Sequence, residues 1–111
     1  MSREIKFRAF QDGQILEMKS RGNYSVTRFF GLLYEDAPVM QFTGLTDSKG
    51  TPIYEGDIMR HPEFVAGGPV VVKYSVDAAS FTLNGWDGFK TDFTEGTVIG
   101  NIHQHKHLLE E

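Results

Sequence analysis

Short runs of alternating apolar and polar residues, interrupted every few positions by Gly, Pro, Asn or Asp, recur along nearly the whole 111-residue chain. In Ile5-Lys6-Phe7-Arg8-Ala9-Phe10, the residues Ile5, Phe7 and Ala9 share one side while Lys6, Arg8 and Phe10 share the other. That period of two belongs to a β-strand. Asp12-Gly13 is a strong hairpin signal, because both residues tolerate the left-handed backbone of a tight turn, and Gln14 to Met18 returns as the partner strand. Arg21-Gly22-Asn23 separates this hairpin from Tyr24 to Phe30, whose alternation predicts a third strand and so an amino-terminal antiparallel layer. Gly31 to Val39 carries no clear period and is broken at Asp36-Ala37-Pro38, which marks a candidate joint.

The central stretch has the densest turn chemistry. Met40, Phe42 and Gly44 alternate with Gln41, Thr43 and Leu45 before Asp47-Ser48-Lys49-Gly50, a turn in which Asp bonds the backbone ahead and Gly accepts a positive φ. Pro52 follows, a residue restricted to an edge, a strand start or a bulge. Ile53-Tyr54 then leads to the tight corner Glu55-Gly56-Asp57 and into Ile58-Met59-Arg60-His61. Beyond a loop over Pro62 to Pro69, strands are predicted at Val70–Tyr74, Ser80–Leu83, Phe89–Phe93 and Thr97–Ile102, with turns at Asn84–Gly88 and Thr94–Gly96. Gln104 to Glu111 is a short helix or a frayed end. Frequent short strands without helical intervals predict an all-β roll, sandwich or small barrel in place of βαβ units.

Three blocks of this sequence resemble the YopX-type proteins of phages and prophages. Arg3-Glu4-Ile5-Lys6-Phe7-Arg8-Ala9-Phe10 is similar to the family's opening, Met40 to Ile58 to its centre, and Val98-Ile99-Gly100-Asn101-Ile102 to its closing strand, in that order. The resemblance implies an all-β domain with a small SH3-type barrel or roll, to which the alternation adds an amino-terminal antiparallel hairpin layer, and it implies a phage origin. It implies no activity. Residues 1–111 read as a single domain, divisible into a hairpin subdomain at 1–35 and a small barrel at 36–111.

Composition narrows the functional classes. Hydrophobic and charged residues make up 40% and 23% of the chain, close to globular averages, and nine Phe supply bulk for a core. The chain has no Cys, so disulfide and thiolate chemistry are excluded, consistent with a reducing compartment. No stretch approaches the roughly 20 apolar residues that span a bilayer, and a charged strand stands where a signal peptide needs an apolar core. The expected location is the host cytoplasm. Net charge is −4, but residues 1–28 carry six basic and three acidic side chains, leaving −7 for the remainder. The basic residues read first as a solvated sheet face and second as an interaction face.

Candidate chemistry is sparse. His103, His105 and His107 would share a face if extended and could direct three imidazoles at one Zn²⁺ or Ni²⁺. Their terminal position, the intervening Lys106 and the lack of a carboxylate fixed to orient them argue against a built site, and no metal or cofactor is assigned. Loop carboxylates Glu55, Asp57, Glu63, Asp77, Asp87, Asp92 and Glu95 have no sequence constraint that pairs them for acid–base work. No Gly-x-Ser-x-Gly, Gly-x-Gly-x-x-Gly or P-loop occurs.

Tyr54 and Asp57 at the compact corner, Trp86 between glycines, and Lys6 and Arg8 on the first strand are the candidate binding residues. Each also has an ordinary structural reading: Tyr54 in the core or its rim, Gly56 at positive φ, Asp57 capping turn N–H groups, Trp86 as a core lid. The leading functional expectation is a noncatalytic accessory module that binds a host or phage protein or copies of itself through strand edges and aromatic loops. The alternative is a nucleic-acid-binding barrel using Lys6, Arg8, Arg21 and Arg28 on phosphates and Trp86 or Tyr24 on bases, disfavoured by the acidic remainder. An enzyme ranks third.

Overall fold

Eight strands form two four-stranded antiparallel sheets, one curled into a half-barrel, with a single short α-helix among the described residues. The computed structural model describes residues 6–18, 26–62, 68–76, 80–83 and 92–109, with backbone alone at 26–28. The first sheet has the order β2-β1-β3-β4: β1 is Phe7–Gln11, β2 Gln14–Glu17, β3 Val39–Thr46 and β4 Pro52–Tyr54. The second has the order β7-β6-β5-β8: β5 is Asp57–Arg60, β6 Val70–Ser75, β7 Ser80–Leu83 and β8 Thr97–Asn101.

Registers follow from the turns. Asp12 and Gly13 both adopt positive φ, 53° and 76°, and this tight connection sets Arg8 opposite Glu17 and Phe10 opposite Ile15. On its other side β1 pairs with β3, with Arg8 opposite Met40. Arg8, Phe10, Ile15, Met40 and Phe42 therefore share one face, and Phe7, Ala9, Leu16 and Val39 share the other. Because β1 lies between β2 and β3, the amino-terminal hairpin is continuous with the sheet holding the central segment.

Both faces of this sheet are covered. Ala9 and Met18 pack with Phe29 of the helix α1 (Val26–Gly31), with Phe7, Leu16 and Leu33 at the margin. Sequence alternation predicts a strand over Tyr24–Phe30, but its described part is this helix. The helix turns Phe29 inward to 2% exposure and leaves the adjacent Phe30 on the surface, and burial of the one ring against the small Ala9 outweighs a weak local strand preference. On the opposite face Met40, Phe42 and Tyr54 pack with Phe10 and Ile15.

The second sheet has its own core of Met59, Val70, Val72, Leu83 and Phe93, joined by Ile53 from β4. Ile53 and Tyr54 are consecutive, so β4 places one side chain in each core. Both sheets bend where a partner strand carries extra residues: between Phe42 and Thr46 on β3, and beside Ile58 and Met59 of β5, where the β8 partner jumps from Gly100 to Val98. Thr43 stabilises the first irregularity by accepting from the Leu45 N–H and donating to the Ile53 carbonyl.

One further expectation changes in the described regions, and one open alternative is resolved. Most of the strand predicted at Phe89–Phe93 lies outside the described residues, but Phe93 belongs to a 3-10 turn at Phe93–Glu95, where Asp92 accepts from the Thr94 N–H and Phe93 is buried. The carboxy-terminal segment takes the short-helix alternative, as a 3-10 turn at Lys106–Leu109.

Candidate functional site

The densest cluster of polar chemistry lies where the chain passes from one sheet to the other. Tyr54 ends β4, Glu55-Gly56 turns, and Asp57 begins β5. Asp57 is 1% exposed, and its Oδ2 accepts from the Tyr54 N–H at 2.8 Å, closing the corner. Its Oδ1 accepts from Arg8 Nη2, so a side chain of the first sheet is ion-paired to the first residue of the second. The Arg8 guanidinium lies 4.4 Å from the Tyr54 ring centroid, a cation–π contact. Burial pushes the Asp57 carboxyl above the ordinary aspartate range, and the Arg8 charge and the Tyr54 N–H pull it back without cancelling that rise.

Gly56 is the pivot. Its φ of +88° is the left-handed region that side chains disfavour, and a Cβ there would sit 3.1 Å from the Met40 sulfur. Its N–H donates to the Val72 carbonyl of β6, and its own carbonyl accepts from Ile102 just past β8. The corner is thus pinned from three directions: β1, β6 and the carboxy-terminal turn.

A second carboxylate performs an analogous task at the far end of the β3–β4 hairpin. Asp47 Oδ1 accepts from the Lys49 and Thr51 N–H groups, and its Oδ2 accepts from the Val98 N–H of β8, all at 2.8–2.9 Å. Ser48 adds a backbone bond to the Gly96 carbonyl, and its hydroxyl meets that of Thr97 at 3.2 Å. Burial alone raises the Asp47 carboxyl, but the three N–H groups and Lys49 outweigh it and hold it below the ordinary range. Asp47 and Asp57 bracket β4 and anchor its two ends to the second sheet.

The geometry sorts the sequence candidates. Tyr54, Asp57 and Arg8 come together in one cluster. Arg8 does not lie on a solvated basic face, as the sequence reading first placed it, but turns inward to pair with Asp57. Lys6 sits on the same face, its ammonium 4.6 Å from the Phe42 ring centroid. Trp86, Arg21 and Tyr24, and the side chain of Arg28, lie outside the described residues.

The histidines do not converge. His103 stacks on Phe10 with ring centroids 5.4 Å apart, His105 Nδ1 accepts from the Asn101 N–H, and the His105 and His107 rings meet edge-on at 6.2 Å. Among the described residues no three His, Asp or Glu side chains form a metal-holding group. Sequence reasoning missed His103 as a neighbour of β1, and Asp47 as a bond to β8, because both contacts join segments about 50 or more positions apart.

The comparisons with known proteins agree with this architecture. The profile of the YopX protein family matches residues 6–110. The chain belongs to the YopX family. No curated protein matches it. Among solved structures, the YopX chain is similar to protein EF1440 from Enterococcus faecalis, with a TM-score of 0.64 and 25% identity over 97% of this chain and 99% of that one. Both sheets and the corner that joins them fall within the residues the YopX profile matches. No helix among the described residues is long and apolar enough to cross a membrane.

Proposed function

We propose that this YopX protein is a noncatalytic accessory module of a phage or prophage that acts in the host cytoplasm by docking a protein partner. The observation that carries the reading is the shoulder formed by the end of α1 and the loop after it. Phe30, Leu32 and Tyr34 are 39%, 57% and 59% exposed there, although they follow the deeply buried Phe29. This loop is fixed to β1: Gln11 donates to the Leu32 carbonyl and accepts from the Tyr34 N–H, and the Tyr34 hydroxyl donates to Asp12. Preorganised apolar side chains lower the entropy lost on binding. Exposed Asp12 meets the Tyr34 hydroxyl and exposed Glu35 and Asp36 follow it in the chain, so the partner surface that fits this reading is apolar with basic groups beside it.

The Arg8–Asp57 pair supports the same reading from the other side. A guanidinium consumed by a buried carboxylate is not available to a phosphate, which removes one of the cations that a nucleic-acid-binding barrel would use. The test is to purify the intact protein from phage-infected host cells, with and without nuclease, beside a Leu32→Asp/Tyr34→Ala variant. A stoichiometric protein partner that survives nuclease and is lost from the variant supports the reading. Nucleic acid as the sole companion, removed by nuclease, overturns it, as does a protein partner retained equally by the variant.

A further inference from the structure

The carboxy-terminal turn after β8 carries two histidines in fixed contacts, His103 on Phe10 and His105 on the Asn101 N–H. Asn101 organises it: its Oδ1 accepts from the His103 and Gln104 N–H groups, its Nδ2 donates to Gln104 Oε1, and its carbonyl accepts from the His105 N–H. Ile102 ties the turn to the corner through its bond to the Gly56 carbonyl. Gly100 leaves room for His105: a Cβ on it would meet the His105 side chain at 2.8 Å. His103 joins this turn to the first sheet, its ring stacked nearly parallel on Phe10 of β1, two residues from Arg8. Phe10 in turn packs on Met40, Phe42 and Tyr54, so the imidazole closes one side of that core.

We propose that His103 is an acid-sensitive latch: as a neutral ring it seals the carboxy-terminal turn onto β1, and its protonation releases the turn from the first sheet. Burial first, and then the charges around it, explain the direction. Arg8 on β1 is the near cation; Asp57 of β5 is already engaged by Arg8, and Glu17 of β2 stands opposite Arg8 across the strand pair. From the corner Glu55 is directed to the Gln41 N–H, and on its own segment His103 is accompanied by Lys106, His105 and His107. No carboxylate in this set is placed to pair with an imidazolium at residue 103. Burial, and then the Arg8 charge, hold the His103 ring below the ordinary histidine value. The docked turn therefore binds fewer protons than the released one, so docking is fully favourable above the ordinary value and weakens as pH falls through it.

The consequence is a change of surface under mild acidification. Release uncovers Phe10 and the edge of the Tyr54 cluster while both sheets remain paired. Nuclear magnetic resonance on the full chain tests this between about pH 8 and 5, which spans the ordinary histidine range. The His103 ring signals and the exchange protection of the Ile102 and His105 amides are followed together, with Ile58 and Val71 reporting on the sheet. The proposal expects amide protection at 102 and 105, corrected for intrinsic exchange, to fall as the His103 ring titrates, with no loss at 58 and 71. His103→Phe keeps a stacking ring that cannot titrate and should abolish that fall, whereas His107→Gln should retain it. Protection that is independent of pH in the native protein, or an unchanged acid transition in His103→Phe, overturns the proposal.

Discussion

Asp47 and Asp57 are the same residue type at two ends of one short strand, yet the protein satisfies them by different means. Asp47 is surrounded by three backbone N–H groups, partial charges already fixed by the turn and by β8, and its carboxyl is held below the ordinary range. Asp57 is buried more deeply, has one backbone N–H and one guanidinium, and its carboxyl is pushed up. Dipoles built into the backbone stabilise a charge without requiring a second charge to be desolvated, whereas a buried ion pair requires both. The hairpin turn is thus a local device that also touches β8, while the corner depends on a long-range partner, Arg8. The second arrangement is the more fragile, because losing either member strands the other.

That contrast sets the order of expected effects. Asp57→Ala leaves the Arg8 guanidinium buried without its counter-charge and should destabilise by about 3–5 kcal/mol, read as a lowered urea midpoint. Asp47→Ala leaves N–H groups without their acceptor but near solvent, and should destabilise by about 2–3 kcal/mol in the same assay. Gly56→Ala forces a side chain into the left-handed region against Met40 and should lower stability by about 1–2 kcal/mol.

Acid should separate the two carboxylates by sign. Asp47, held low, contributes stability above its unfolded value that is lost as pH falls through its folded one. Asp57, pushed up, contributes most below its unfolded value and loses that contribution as pH rises through its folded one. Urea midpoints between about pH 5 and 2.5, in the ordinary aspartate range, should therefore fall less steeply for Asp47→Asn than for the native protein. The smallest effect belongs to the surface: Leu32→Asp/Tyr34→Ala should leave the unfolding free energy within about 0.5 kcal/mol per substitution while abolishing partner capture.

Much of this plan is legible in the sequence. Asp12-Gly13, Asp47 to Gly50, Pro52 at the start of β4 and the Glu55-Gly56-Asp57 corner are positions where local chemistry admits few backbones, and the structure uses them as turns, strand start and corner. The capping role read for Asp57 is local too, since that bond comes from the nearby Tyr54 N–H, whereas the bond from Arg8 is long-range. What the sequence hides is tertiary. Two neighbouring phenylalanines, Phe29 and Phe30, fit a strand as well as a helix until Ala9 and Met18 supply the surface that buries one of them. Arg8 alternates with apolar neighbours and looks solvent-facing; only the fold shows that its face is covered by the Met40, Phe42 and Tyr54 cluster. Asp92 and Phe93 complete an alternating run, yet a side-chain cap on Thr94 makes that end a 3-10 turn.

The central claim is that the polar residues of the corner join the two sheets, and a double-mutant cycle on Arg8 and Asp57 tests it most directly. Urea unfolding of Arg8→Met, Asp57→Leu and the double variant gives the coupling between them. The account predicts two strongly destabilised single variants and a double variant that recovers most of the loss, since an apolar pair leaves no charge buried. Losses that simply add would show that the two residues act independently, and would contradict a joining role for the Arg8–Asp57 pair.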